Sequence, residues 1–357
     1  MHLKPVESSC DKSVYEFEIL LHFLSLEVKT HSQRIHKWLT SYYSPYDQRD
    51  IFSDHSASYK LELEEIGSVF AHDLETSGEG VFTKFCLANS HCHYRDGVFY
   101  SNGEGQFAHQ IEIDVRRRSM RANIGGEFIE SEESFIYNVM RDVLGKLLLP
   151  LNNLMSMHGA VVTNGSRTIF LAGDKGMGKS TISLKLLENG YRILSDDSPL
   201  FTFIDGRTLV LSSLDELSVT TNTLKLFPSL NEFVSRQREI SGKHFVSRSA
   251  LGKEKVASGP LPITDFIELK RGPCQQPSLT EVSKNKVTGD LIREFMSIFG
   301  PQITLSSDPK LFKRATKFIF DTTSAMLLEA RAFELRYDDR DLEKIPELIA
   351  STTGGAR

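Results

Sequence analysis

Hydrophobic and polar positions along this chain repeat with two different periods. From 14 to 41 the apolar content is dense. Leu20, Leu21, Phe23, Leu24 and Leu26 lead to Ile35, Trp38 and Leu39 at helical spacing, and the segment reads as helical. From 59 to 125 the period falls to two. Tyr59-Lys60-Leu61-Glu62-Leu63 and Ile111-Glu112-Ile113-Asp114-Val115 each place apolar side chains on one face, the pattern of a half-buried strand. Val98-Phe99-Tyr100 runs into Ser101-Asn102-Gly103, an Asn-Gly turn signal. Over 132–150 the stripe Phe135, Val139, Val143 and Leu147 restores the helical period, and Pro150 closes it.

The second half opens on a hairpin. Met157-His158-Gly159-Ala160-Val161-Val162 is one strand, Asn164-Gly165 the turn, and 167–172 the return. After Ala172 the pattern becomes helical, with Ile182, Leu186 and Leu187 on one face, and stops at Asn189-Gly190. Tyr191-Arg192-Ile193-Leu194-Ser195 is a short strand ending in Asp196-Asp197. Further strands are expected at 265–269 and 333–337, and a final helix at 341–350.

Between the hairpin and the helix lies Gly173-Asp174-Lys175-Gly176-Met177-Gly178-Lys179-Ser180, which fits G-x-x-x-x-G-K-[ST] without a mismatch. Strand, glycine loop and helix is the arrangement that phosphate binding requires. Backbone N–H groups wrap the phosphates, and the helix N-terminus adds partial positive charge. The lysine in this pattern reaches the β- and γ-phosphates, and the following hydroxyl ligates Mg²⁺. Those residues here are Lys179 and Ser180, and Gly173 to Thr181 form the nucleotide-binding run. A second acidic group is needed to hold the metal or accept a proton. Asp196 and Asp197 end the next strand only 17 and 18 residues after Lys179, at the same sheet edge. That short spacing, with an antiparallel hairpin feeding the loop, argues against a GTPase-like layout.

Composition narrows the setting. The 357 residues suffice for two or three domains, and 40% hydrophobic with 25% charged residues is a core-forming balance. A net charge of −5 gives no global reason to expect nucleic acid or a membrane surface as partner. No apolar run approaches a transmembrane span, and the N-terminus lacks the apolar core of a signal peptide. Four cysteines without a C-x-x-C pair point to a reducing, cytoplasmic compartment. His91-Cys92-His93 lacks further ligands nearby for a metal site.

The stretch His158-Gly159-Ala160-Val161-Val162, the loop Gly173–Ser180, and Leu187-Glu188-Asn189-Gly190-Tyr191-Arg192-Ile193-Leu194-Ser195-Asp196-Asp197 resemble the catalytic core of the HPr kinase/phosphorylase family. The spacing matches over about 40 consecutive residues. The resemblance implies an α/β, phosphoenolpyruvate-carboxykinase-like nucleotide-binding fold, a mixed sheet with a P-loop. It implies ATP and Mg²⁺ as cofactors, Lys179 on the β/γ-phosphates, and Ser180 on the metal. Asp197 would accept the substrate hydroxyl proton and His158 would support the acidic pair, which leaves Asp196 as the structural or metal-orienting member. The chain departs from the family in three places. Thr181 follows Ser180 where HPr kinases carry Glu. The downstream metal-binding acid has no secure match, with Asp215 or Glu216 the candidates, and the segment supporting reverse phosphorolysis is not recognisable. These departures imply a kinase-only relative, such as the kinases of lasso-peptide precursors or of free serine.

The expected organisation is an N-terminal α/β domain over 1–150, for substrate selection or assembly, and a P-loop catalytic domain over 151–357. The expected activity is transfer of the γ-phosphoryl group to a serine on a peptide or small protein. A small-molecule acceptor such as free serine, and a nucleotide-dependent regulatory or assembly module, are the alternatives. A homo-oligomer is possible by the same resemblance. The transition state needs a cation beyond Lys179. Lys243 is the first candidate, ahead of Arg248, Lys270 and Arg271. Arg116-Arg117-Arg118 with Arg121 is a separate basic cluster in the first half, read as a solvated strand edge.

Overall fold

The computed structural model describes residues 13–21, 24–43, 57–65, 81–87, 90–103, 108–140, 143–144, 148–212, 217–237, 242–246, 251–252, 254–298 and 309–352. The chain divides into two compact units, one of residues 1–143 with 305–307, the other of 144–304 with 308–357.

The first unit is an eight-stranded mixed sheet with strand order β1-β2-β3-β8-β7-β6-β5-β4. Its strands are β1 Tyr15–Leu21, β2 Leu24–Thr30, β3 Ala57–Glu65, β4 Val81–Leu87, β5 Ser90–Arg95, β6 Val98–Gly103, β7 His109–Asp114 and β8 Ser119–Ile124. Helix α1, Gln33–Tyr43, follows β2. The helical reading of 14–41 is therefore corrected: 15–30 is an antiparallel pair, and only the last part is helix. Glu16 and Glu18 alternate with Phe17 and Ile19, and Glu27 and Lys29 with Leu26 and Val28. That polar period of two outweighs the apolar run at 20–26. The β5–β6 turn is made by Asp96 and Gly97, both at positive φ, while Asn102-Gly103 ends β6 as paired strand. Arg116 to Arg118 lie in the β7–β8 turn, and Arg121, within β8, pairs with Glu62 of β3; β8 is paired on both sides, so the strand-edge reading is corrected. After β8 comes α2, Glu132–Phe135, which runs into a π-helical stretch at Ile136–Met140.

The second unit is built on a six-stranded mixed sheet, order β12-β10-β11-β19-β21-β20. The hairpin is β10 Ala160–Thr163 and β11 Thr168–Ala172, turned by Asn164 and Gly165. The remaining members are β12 Arg192–Ser195, β19 Asp265–Arg271, β20 Ser278–Glu281 and β21 Arg331–Tyr337. β11, β19 and β21 run parallel, and β12, antiparallel to β10, shares their direction. The carboxyl ends of four strands thus meet at one edge, where open α/β sheets bind ligands. Smaller sheets flank it. One has four strands, β9 Leu154–Ser156, β13 Leu200–Ile204, β14 Arg207–Leu211 and β18 Leu261–Pro262. The other has three, β15 Leu217–Val219, β16 Val234–Gln237 and β17 His244–Val246.

Alternation decides which helix covers which face. Ile169, Leu171, Ile267 and Leu269 point to one side and pack with Ile182 and Leu186 of α3, Lys179–Glu188. Phe170, Ala172 and Phe266 point to the other, toward Val287 and Leu291 of α4, Lys284–Ile298, and Phe318 and Ile319 of α5, Pro309–Glu329. Both faces are buried, which explains the near-continuous apolar run of β11.

At the amino ends of these strands the sheet is locked by charge. Asp265 is 0% exposed. Arg167 Nε donates to its carboxylate at 2.9 Å, and Arg331 Nη2 lies 2.7 Å from the other oxygen. The same arginines donate to the carbonyls of Ile349 and Thr352, which ties the C-terminal helix α6, Ile345–Ser351, to the sheet. Burial alone would raise the Asp265 carboxyl. The hydrogen bonds from Arg167 and Thr264 and the charges of Arg167 and Arg331 outweigh it and hold the group below its ordinary value.

Asp265→Asn strands two arginines at a buried site and is expected to cost about 3–5 kcal/mol at pH 7, read by urea unfolding. A depressed carboxyl contributes stability above its unfolded value of about 4 and loses it as pH falls through the folded one. The gap between wild type and variant should therefore narrow in unfolding curves recorded below pH 4.

Candidate functional site

The phosphate loop leaves β11 at the carboxyl edge and enters α3 at Lys179. Gly173, Gly176 and Gly178 all have positive φ, at 144°, 90° and 83°. Gly178 has a second reason to be glycine, since a Cβ there would stand 2.2 Å from Tyr337 Oη. The loop turn is closed by Met177 N–H on the Asp174 carbonyl, 3.1 Å. Lys179 is buried, and its ammonium lies inside the loop, donating to the carbonyls of Gly173 at 2.6 Å and Asp174 at 3.1 Å. Asp174, Lys175 and Gly176 are exposed at the tip.

The strand β12 delivers the acidic pair to this loop. Asp196 is 2% exposed. Ser180 Oγ donates to its Oδ1 at 3.0 Å, and the Ser218 amide of β15 donates to its Oδ2 at 3.0 Å. Burial, then the neighbouring Asp197 charge, push its carboxyl up to about 6. The Ser218 and Ser180 hydrogen bonds and the Lys243 charge pull it back only in part. Asp197 takes a different posture. Its φ is 70°, and Ser198 N–H reaches back over it to the Asp196 carbonyl at 2.9 Å, a γ-turn. A non-glycine residue in that region stores strain of about 1–3 kcal/mol, typical of functional positions. His158 Nδ1 lies 3.2 Å from Asp197 Oδ1. Gly159 makes this approach possible: its N–H donates to the Asp197 carbonyl at 3.2 Å, and a Cβ on it would lie 2.1 Å from the Phe170 ring.

Of the residues singled out from sequence, the structure brings together the loop, Lys179, Ser180, Asp196, Asp197 and His158, and places Lys243 where its charge acts on Asp196. Thr181 turns to α-helical neighbours, with Oγ1 3.4 Å from Thr223 Oγ1. Asp215, Glu216 and Arg248 lie outside the described residues. Three residues that the sequence did not single out also touch the site: Ser218, through its backbone amide, Tyr337 and Asp339. Tyr337 Oη donates to the Met177 carbonyl at 2.6 Å. Arg271, at the end of β19, donates to the Gly176 carbonyl at 3.2 Å and is gripped by Asp339. The only advance signal was for Tyr337, the last residue of an alternating run that reads as a strand.

A cavity of about 550 Å³ opens beside the loop, lined by His158, Gly173 to Lys175, Glu268 and Lys270 over an apolar floor of Phe266, Val287 and Leu291. Glu268 and Lys270 pair with each other on its wall. The donor set fits magnesium. Mg²⁺ prefers oxygen ligands and binds through one or two carboxylates together with substrate phosphates. Here a hydroxyl and a buried carboxylate stand in contact at the mouth of a phosphate loop.

With this geometry, the similarities to known proteins can be placed. No protein-family model matches the chain. The HPr kinase/phosphorylase of Treponema pallidum is 32% identical over 69 residues, 18% of this chain and 22% of the relative. That of Limosilactobacillus reuteri is 27% identical over 142 residues, 40% of each. Part of the chain is thus similar to HPr kinases. The chain spans from about a fifth to two fifths of the length of these curated relatives. The HPr(Ser) kinase/phosphatase of Coxiella burnetii aligns over 56% of this chain and 95% of its own, at 11% identity and a TM-score of 0.31, too low to establish a common overall fold. Among the described residues no helix is long and apolar enough to cross a membrane, which says nothing of a β-barrel.

Asp196→Asn keeps an oxygen for the Ser218 amide and removes a buried charge beside Asp197. Its unfolding temperature at pH 8 should equal or exceed that of wild type. Magnesium-dependent nucleotide binding should weaken about ten-fold or more in titration calorimetry. A lower unfolding temperature with unchanged binding would make Asp196 a structural acid.

Proposed function

We propose that residues 151–357 form a phosphoenolpyruvate-carboxykinase-like unit that transfers the γ-phosphoryl group of ATP to a seryl hydroxyl on a peptide or small protein. Residues 1–150 then serve acceptor selection or assembly. The observation that carries this reading is the meeting, at one sheet edge, of the phosphate loop, the Ser180–Asp196 contact and a strained Asp197 paired with His158.

The amides of Gly173 to Thr181 and the N-terminus of α3 would hold the phosphates, and Lys179 would exchange its loop carbonyls for β/γ-oxygens. Ser180 and Asp196 would hold Mg²⁺, with Glu216 as a further ligand. When bound, magnesium-ATP supplies the phosphoryl group and neutralises charge as it transfers. Phosphoryl transfer otherwise asks for positioning and one base. Asp197 takes the proton from the acceptor hydroxyl, and His158 fixes the orientation of its carboxylate. Lys243 adds positive charge on the side of Asp196. The cavity bordered by His158 and the loop gives the acceptor an approach. The likeness to enzymes named for kinase activity on HPr supports a protein acceptor.

The test is γ-labelled ATP with Mg²⁺ against peptides, small carrier proteins and free serine. Label on a peptide or protein serine is expected, and label on free serine alone would move the acceptor to a small molecule. Asp197→Asn should bind ATP as wild type does and lose about 10²–10⁴-fold in transfer. Near wild-type turnover removes Asp197 from the mechanism. Lys179→Ala should weaken binding and transfer together, and unchanged activity rules out the loop assignment.

A further inference from the structure

Two successive carbonyls at the tip of the phosphate loop are tied from outside by the carboxyl ends of β19 and β21. Tyr337 Oη donates to Met177 at 2.6 Å, and Arg271 Nη1 donates to Gly176 at 3.2 Å. Arg271 is itself anchored. Its Nε donates to Asp339 Oδ1 at 2.6 Å, and its second N–H group meets the other oxygen of the same carboxylate. Asp339 opens the 3₁₀ turn Asp339–Lys344, whose first residues are capped by the Asp338 side chain. The Tyr337 ring is 1% exposed and packed in the core, so its hydroxyl has little freedom to move. Burial pushes that hydroxyl up to about 12, and it stays a proton donor at any working pH.

The consequence follows from the planar trans peptide, in which a carbonyl and the next N–H point in opposite directions. Holding the Met177 carbonyl toward Tyr337 turns the Gly178 N–H away from it. Holding the Gly176 carbonyl toward Arg271 does the same for the Met177 N–H, which lies on the Asp174 carbonyl across the turn. Gly178, with no Cβ and φ of 83°, lets Tyr337 approach closely enough.

We propose that Tyr337 and the Arg271–Asp339 pair form a clamp that presets the outer half of the phosphate loop, so that residues 160 and 95 positions distant in sequence set nucleotide affinity. Tyr337, Arg271 and Asp339 are positioning residues and touch no reacting atom. The proposal rests on the nucleotide-binding reading above.

The experiment measures Mg·ADP affinity and thermal unfolding of the full chain as wild type, Tyr337→Phe, Asp339→Asn, Arg271→Gln and Ile349→Val. Tyr337→Phe keeps the ring and loses one hydrogen bond, so Kd should rise about 3–10-fold. Asp339→Asn should raise Kd as well, because Arg271 loses its anchor. Ile349→Val loosens the same core without touching the loop and should leave Kd unchanged at a similar loss of unfolding temperature. Three outcomes overturn the clamp: Tyr337→Phe binding as tightly as wild type, Ile349→Val weakening binding as much as Tyr337→Phe, or Asp339→Asn tightening binding while Arg271→Gln weakens it. The last would make Arg271 a direct phosphate ligand. Wild type that binds no Mg·ADP overturns the nucleotide reading and the clamp with it, whereas binding by wild type with an indifferent Tyr337→Phe overturns the clamp alone.

Discussion

The carboxylate of Asp196 is removed from water at the end of β12, and it gathers three segments around itself: the first turn of α3 through Ser180, the small sheet through the Ser218 amide, and the strand that carries it. A buried carboxylate costs several kcal/mol unless charge or hydrogen bonds offset the loss of water. The hydrogen bonds here come from a hydroxyl and an amide, both neutral donors, and the repelling Asp197 charge outweighs the attracting Lys243 charge. The site therefore holds negative charge in tension, which a divalent cation at the loop mouth would relieve. Strand, loop and helix take the positions they do so that this carboxylate can stand beside Ser180.

The other end of the same sheet shows what a buried aspartate looks like when nothing further is asked of it. Asp265 is as deeply buried, yet two guanidinium groups meet its oxygens and its carboxyl falls below the ordinary value. Asp196 is raised and Asp265 is lowered within one sheet. The arginine pair closes the amino ends of β11, β19 and β21 and fastens the C-terminal helix. The carboxyl ends are thereby left to the phosphate-loop motif and the acidic pair. Strain follows the same division, since Asp197 with φ of 70° lies at the carboxyl edge, next to the acid whose carboxyl is raised.

What could be read in advance depended on how local the cause was. The hairpin of β10 and β11 was legible because β-branched residues flank Asn164-Gly165, and α3 because Asn189-Gly190 stops a helical stripe. The loop and acidic pair were legible because strand direction carries both to one edge, and those residues do lie together. The segment 14–41 misled because Leu20, Leu21, Phe23, Leu24 and Leu26 crowd apolar side chains where the first strand gives way to the second, and the alternation is obscured there. Arg167 and Asp265 are 98 residues apart, and no window of sequence contains both. Thr181 reads as part of the loop run, but the turn of α3 carries its hydroxyl to Thr223.

Two of the loop's glycines illustrate why a motif alone understates its supports. Gly176 has open space around the position of a Cβ, so its φ of 90° is the sole demand for glycine there. Gly178 has the same backbone demand and a tyrosine hydroxyl pressed against it from β21. The pattern G-x-x-x-x-G-K-[ST] records both as one letter, although one answers to the loop and the other to a residue near the far end of the chain. Gly159 repeats the lesson beside His158, where absence of a side chain lets the hairpin close on Phe170 and seat the Asp197 carbonyl. Gly178 and Gly159 each leave out a side chain so that a distant group can approach the backbone. In this fold, the glycine that looks like flexibility in sequence is a point of fixation in space.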